Sequence, residues 1–484
     1  MSSLVIALAM VLYLGAAWLL DRWLVADGGT MARTVAAWLT LFGAHPNPLH
    51  LTRAGAPLFL LLQLPLAMLP LWPAPVWSSA VLSCASAALL LAGIERGLRA
   101  VGLGAGARAL VLALSALQPL LVFGAATGSS GTLAPALTAW ALALLLEWSR
   151  TSSTLSLVLS AFVMGLACLA SYWILFVALA LSLVLLASAG SRDRALALTM
   201  TYAMPIVSIV LPWQLVVLII GRGSDAFAPG SPLSLPAHAG APADAVAVLY
   251  LLLLGMGWCL LGASKDRGVP KALLAAASAA MLVPILAGLL AGGHIRPEQA
   301  LPLLATGPLL LGWRIAACSS QRLALTLAGV ASLVLLAGAQ GAIWAQGLGT
   351  AAEQRLAALA LHREAAPAEP PEHAIARYLA GLGASRDILL DDRLGYPAIY
   401  WSGSARRFYT PGDARWQPEL LGQPPSDVRY VLISHLAADR GPDAIDAAFS
   451  GLRQKDAPWA VLDREWPGEQ EGTSWRLYRA VEQG

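Results

Sequence analysis

Long apolar runs dominate this sequence. Segments of 17–25 residues with hardly a charge recur near 4–20, 75–94, 106–124, 130–147, 154–171, 173–190, 195–219, 242–262, 271–292, 299–317 and 322–345. A run of that length crosses the ~30 Å hydrocarbon layer as a helix, and hydrocarbon admits no segment whose backbone polar groups go unpaired. The chain is therefore read as a polytopic α-helical membrane protein with about 11 transmembrane helices. A content of 58% hydrophobic and 12% charged residues among 484 agrees with that class. The first run lacks a basic stretch before it and is followed by many more spans, so it reads as a retained helix rather than a leader.

The charges are unevenly spread. Residues 1–348 hold 9 of the 28 Asp and Glu and 16 of the 31 Lys and Arg, which leaves 19 acids and 15 bases in 349–484. The expected division is thus a membrane domain, 1–348, and a soluble domain of ordinary polarity, 349–484. The excess of bases in the first part is a topology signal, and no basic patch calls for a nucleic acid. Cys84, Cys168, Cys259 and Cys318 lie in or at the ends of apolar runs without CxxC spacing, which suggests neither a disulfide framework nor a zinc site.

Clusters of positive charge select the orientation. Arg96, Arg99 and Arg108, then Arg150, Arg192 and Arg194, then Lys265, Arg267 and Lys271, and last Arg314 and Arg322 fall at alternate turns, which are cytoplasmic by the positive-inside rule. The N-terminus is then cytoplasmic, and the odd number of spans puts the C-terminal domain on the outer face of a bacterial inner membrane. PLFLLLQLPLAMLPLW, residues 57–72, would break this alternation if it spanned. It reads as a re-entrant or juxtamembrane helix, interrupted by Pro65 and Pro70, inside a long first external loop at 21–74. Two further external loops follow at 220–241 and 292–299.

Past residue 348 the pattern changes to short elements. EHAIARYLAGL reads as a helix, DILLDD as a strand, GYPAIYWSG as a turn and helix, RRFYTP and VRYVLISH as strands, GPDAIDAAFSGLR as a helix, and WAVLDRE and SWRLYRAV as two last strands. Such alternation makes a small α/β domain, and no GxGxxG or P-loop marks it for nucleotides. Asp391 and Asp392 end a strand, where acids either join a site or start a turn.

The external loops carry the candidate chemistry. Asp27 comes just before Gly28-Gly29 and a stretch in which Met31, Val35, Trp38, Leu39 and Phe42 share one helix face, as in a helix lying along the interface. An acid there sits in the positive field of a helix start. It can cap the helix or take a proton from a hydroxyl, and the residues alone leave both open. Arg53 and Arg296 fall at the bilayer surface, where a guanidinium can grip a lipid-linked phosphate or simply reach ordinary headgroups. His294 stands beside Arg296, and Arg222 and Asp225 are the charged candidates of the second loop.

The layout resembles the GT-C superfamily of polytopic glycosyltransferases, in the branch of protein O-mannosyltransferases and the bacterial lipid A aminoarabinose transferase. The resemblance rests on the order of several segments across residues 1–320. These are Asp27-Gly28-Gly29-Thr30-Met31-Ala32-Arg33, Gly55-Ala56-Pro57-Leu58-Phe59, the turn and helix at 126–148, the hairpin at 165–181, and HIRPEQALPLLATGPLLLGW at 294–313. Three positions depart from the family pattern. Gly28 replaces a frequent Glu, Gly131 or Thr132 a frequent acid, and Ser171-Tyr172-Trp173 a frequent Thr-Arg.

The resemblance implies an enzyme that takes a sugar from a polyprenyl-phosphate donor and delivers it, with inversion, to an extracytoplasmic acceptor. It makes Asp27 the base and Arg53, Arg296 and His294 the phosphate ligands, while Arg222 and Asp225 stay acceptor or loop candidates. No cofactor is required by it, and a lone carboxylate is a poor divalent-metal site. Two other readings compete, a non-catalytic envelope scaffold and a transporter of lipid-linked solutes. The sequence shows no internal repeat of the kind transporters carry.

Overall fold

The computed structural model describes residues 2–43, 46–48, 50–51, 57–69, 76–188, 191–220, 269–290, 301–317, 338, 351–360, 369–382, 388–411, 424, 428–435, 443–449, 452, 457–468 and 474–481. Two compact units divide the chain. The first comprises Met1–Asp27, Gly55–Phe59 and Ser79–Glu364, and the second Gly28–Ala54, Leu60–Ser78 and Ala365–Gly484.

Helices fill the expected spans wherever these are described. They are α1 (Ser2–Arg22), α2 (Gly28–Phe42), α3 (Pro57–Ala67), α4 (Val76–Ala100), α5 (Ala105–Ala116), α6 (Pro119–Ala126), α7 (Leu133–Thr151), α8 (Thr154–Ala170), α9 (Ile174–Ser188), α10 (Arg192–Ile220), α11 (Val269–Leu290) and α12 (Leu303–Ala317), followed by α13 (Ala351–Ala360). Four are long and apolar enough to cross a membrane alone, and five spans result if α5 and α6 count as one. The predicted span 242–262 lies outside the described residues, as does 322–345 apart from Gly338.

The run read at 106–124 is broken rather than straight. Its two helices meet at 59°, because Pro119 has no N–H to continue the ladder and starts a new helix at its first position. Within the 57–72 segment the described residues form one short helix. Helix α3 has 11 residues and contains Pro65, so at 1.5 Å per residue it covers about 17 Å, roughly half the hydrocarbon layer.

Small residues let the helices of the first unit close on one another. A Cβ on Gly93 would lie 2.8 Å from the Trp140 ring and 3.0 Å from its backbone nitrogen, one on Gly97 2.5 Å from Leu309, and one on Gly312 2.1 Å from Leu98. Helix α4 is thereby pressed between α7 and α12, as small residues allow in membrane bundles. Polar groups inside the bundle are paired across helices: Tyr13 Oη donates to Ala116 O at 2.9 Å and Ser160 Oγ to Ala141 O at 2.7 Å. At the α8–α9 turn Trp213 Nε1 donates to Tyr172 Oη at 3.1 Å and Trp173 stacks on Phe176.

The second unit contains α14 (Pro371–Gly381), β1 (Ile388–Leu390), α15 (Asp392–Ser402), β2 (Phe408–Tyr409), β3 (Tyr430–His435), α16 (Ala444–Ala448), β4 (Ala460–Pro467) and β5 (Ser474–Ala480). The strand order is β2-β1-β3-β5-β4, with β1 parallel to both neighbours and β5 antiparallel to β3 and β4. All three residues of β1 are buried, as a central parallel strand requires. The edge strand β4 turns Asp463, Arg464 and Glu465 to solvent, which guards an open edge against pairing.

Gly93→Val should lower the thermal stability of the detergent-solubilised protein by about 1–3 kcal/mol, because the Trp140 backbone cannot yield to the added carbons. Gly15→Ala, which meets nothing within 4 Å, should leave stability unchanged or raise it by up to about 1 kcal/mol. Comparing the two melting curves checks the packing described for α4.

Candidate active site

The approach to Asp27 is fixed within the first unit. Helix α1 ends with Leu24 in the left-handed region at φ 54°, and Val25 N returns to Leu20 O at 3.0 Å. Val25 is buried with Leu20, Ala80, Phe123, Ala126 and Ala352, and Arg355 Nε of α13 donates to Trp23 O at 3.4 Å. Holding a β-substituted residue at positive φ costs about 1–2 kcal/mol, which the burial of Val25 offsets. Two residues on, Asp27 is half-buried and immediately precedes the first residue of α2. It occupies the helix-start position read from the sequence.

The turn between α6 and α7 carries hydroxyls in place of acids. Gly128 has φ +76°, and a Cβ there would lie 2.7 Å from Ser79 Oγ, so only glycine fits. Ser83 Oγ lies 3.0 Å from Gly124 O, 2.9 Å from Ser129 O and 3.0 Å from Thr132 Oγ1, and Thr132 Oγ1 donates to Ser129 O at 3.0 Å. Ser83 and Thr132 are fully buried. Thr132 therefore closes the turn, in the place where the resembling family often has an acid. Among the described residues no three His, Cys, Asp or Glu side chains gather closely enough to hold a metal.

The second unit shows what holds α2. Its buried face consists of Thr30, Thr34, Val35, Ala37, Trp38 and Leu39, so Met31 and Phe42, expected on that face, are only partly covered. The reason is that protein rather than lipid lies against the helix. The Trp38 and Tyr400 rings stack at 6.2 Å and 13°, the Arg406 guanidinium stands 6.0 Å from the Phe42 ring, and Gln63 Nε2 donates to Thr34 Oγ1 at 3.0 Å and to Ser78 Oγ at 3.3 Å. Gly28 faces Tyr396, whose Oη would lie 3.1 Å from a Cβ at that position. A glutamate at 28 would have to displace that tyrosine.

His50 contributes a contact that the sequence did not reveal. Its Nδ1 lies 3.4 Å from Asp392 Oδ2, with both side chains nearly enclosed, so the segment before α3 is held at the start of α15. An isolated histidine between prolines carries no periodic signal that could single it out. Asp391 is a structural residue. Its carboxylate accepts from Arg393 N at 2.9 Å, Arg393 Nη2 at 3.0 Å and Ala444 N at 2.8 Å, and it thereby caps α15 and ties down the start of α16. Asp443 accepts from Ser434 N, Ser434 Oγ and Ile445 N at 2.9, 2.9 and 2.8 Å. Burial pushes its carboxyl up despite these donors.

The remaining sequence candidates, Arg53, Arg222, Asp225, His294 and Arg296, lie outside the described residues. No family model matches the sequence, and no curated protein matches it. Among solved structures, ArnT from Cupriavidus metallidurans bound to undecaprenyl phosphate matches with a TM-score of 0.61 at 13% identity, over 99% of this chain and 98% of that one. The same protein in the apo state gives 0.58 at 13% identity, over 99% and 97%. The oligosaccharyltransferase of Archaeoglobus fulgidus, in its apo form, gives 0.47 at 11% identity, over 89% of this chain and 69% of that one. The chain has the fold of that ArnT along nearly its whole length.

His50→Leu should loosen the first loop and raise amide exchange in 28–42 roughly 5- to 100-fold, the equivalent of about 1–3 kcal/mol for a broken enclosed pair. Exchange in β3 and β5 should stay as in the wild type, and hydrogen-exchange mass spectrometry on the full-length protein reads both. Asp391→Ala should cost about 2–3 kcal/mol, since α15 loses its cap and the Ala444 N–H loses its acceptor. Thermal unfolding of the same preparation measures that loss.

Proposed function

We propose that this chain is a membrane glycosyltransferase that moves a sugar from a polyprenyl-phosphate donor to an extracytoplasmic acceptor. One observation carries the reading: the fold agrees over 99% of the chain with that of a protein captured with undecaprenyl phosphate. The proposed division is a membrane domain, 1–348, that performs the reaction, and an outward-facing α/β domain, 349–484. In the proposed orientation the N-terminus is cytoplasmic and Asp27 lies on the outer side with that domain.

In the proposed mechanism the donor phosphate is held by Arg53 and Arg296, assisted by His294, while Arg222 and Asp225 border the acceptor. Asp27, placed just before the start of α2, takes the proton from the acceptor hydroxyl. The hydroxyl oxygen forms a bond to the anomeric carbon on the face opposite the phosphate. The bond from that carbon to the phosphate oxygen breaks, its electron pair leaves on polyprenyl phosphate, and the configuration inverts. Stabilising the phosphate charge with fixed guanidinium groups supplies the electrostatic part of the catalysis.

The hydroxyl-filled turn at Ser129–Thr132 and the glycine at 28 favour a second reading, a non-catalytic scaffold of the cell envelope. One assay separates the two. Purified wild-type protein supplied with a panel of polyprenyl-phosphate sugars should transfer one of them, and Asp27→Asn should reduce the rate by about 10²-fold or more with insertion and stability intact. Full activity in Asp27→Asn removes Asp27 from the chemistry. An inactive wild type across the panel favours the scaffold.

A further inference from the structure

Arg314 stands out against its surroundings. It lies in the last turn of α12, within the apolar sequence LLATGPLLLGWRIAA, yet it is only 7% exposed. Its Nε is enclosed without a hydrogen-bond partner, and its guanidinium makes no hydrogen bond or ion pair with any described residue. A guanidinium keeps its proton inside proteins, and an enclosed charge without a counter-charge is costly. Snorkelling along a lipid-facing surface does not account for it. Lipid-facing side chains of this bundle are exposed, as Leu179 at 59% and Leu183 at 56% show, whereas Arg314 points into protein.

The neighbourhood accounts for the imbalance. Gly312 packs α12 against Leu98 and Leu103, which sets the last turn of α12, with Arg314, at the same end of the bundle as the turn that joins α4 to α5. At this same end Arg96 binds Glu147 through two bonds of 2.8 Å, and Arg99 lies 2.8 Å and Arg108 3.7 Å from Glu95. Arg150 donates to Ala100 O. Both glutamates are thus taken, and every arginine of the group except Arg314 has its acceptor. Asp27 belongs to the opposite end of the bundle, where Leu20 and Val25 meet Ala80 at the beginning of α4 and Ala126 at the end of α6.

We propose that this end of the bundle binds a phosphate-bearing anion, with the Arg314 guanidinium as its chief ligand. The fork of a guanidinium matches two phosphate oxygens, and the end in question is the one that the positive-inside rule turns to the cytoplasm. The phosphate of an anionic phospholipid in the facing leaflet is the source that fits the place, since basic pockets between spans on that side take such headgroups. The site is independent of the proposed donor site on the other face.

Native mass spectrometry and thermal unfolding in detergent, with phosphatidylglycerol, phosphatidylcholine or inorganic phosphate added to the full-length protein, test the proposal. Wild type should retain and be stabilised by phosphatidylglycerol but not phosphatidylcholine, and Arg314→Met should weaken phosphatidylglycerol binding at least tenfold. Stabilisation by inorganic phosphate alone, lost in Arg314→Met, keeps the phosphate site and assigns it a soluble ligand. Equal binding of the two lipids by wild type with no effect of inorganic phosphate overturns the proposal, and this arm needs no variant to fold. Undiminished phosphatidylglycerol or phosphate binding in a folded Arg314→Met overturns it as well.

Discussion

In hydrocarbon the backbone has no water to fall back on, and the first unit follows from that constraint. Once each span has satisfied its own N–H and C=O groups as a helix, little hydrophobic drive remains to bring helices together, and close approach decides the packing. The glycines of α4 and α12 are therefore as decisive as its leucines. Gly93 admits Trp140, Gly97 admits Leu309 and Gly312 admits Leu98, so α4 serves as the post against which α7 and α12 rest. The hydroxyl network of Ser83, Ser129 and Thr132 obeys the same constraint. A turn can be enclosed only if its carbonyls find partners there.

Much of this architecture was legible because two periodicities change sharply along the chain. The apolar runs announced helices, and short alternating elements after 348 announced a sheet, whose strands lie at β1 to β5 as read. Pro119 was visible as a residue, but the 59° bend it produces depends on how the flanking helices pack. The break between α8 and α9 at Ser171–Trp173 falls where the two runs were separated in the reading.

Long-range contacts were the illegible part. No local pattern connects His50 to Asp392, or explains why position 28 is glycine by pointing at Tyr396. Asp391 looked equally suited to a site or a turn, and only the Ala444 amide reaching its carboxylate makes the cap of α15 also a tie to the start of α16. Arg314 was read purely as a topology signal. Its enclosure is a product of how the helices pack, which composition does not encode.

The stack of Trp38 on Tyr400 joins segments made at opposite ends of translation. Helix α2 emerges early, while α15 waits for nearly the whole chain, and α15 is itself finished only when Asp391 receives the amide of Ala444 from still later sequence. Helix α16 has five residues, too few to persist without that anchorage. During synthesis Gln63 can reach Thr34 early, but Trp38 is left without its stacking partner until α15 has been made. The order of synthesis makes the late part of the second unit the final step in covering α2, and a chain truncated before α15 would leave Trp38 bare however well its apolar helices had formed.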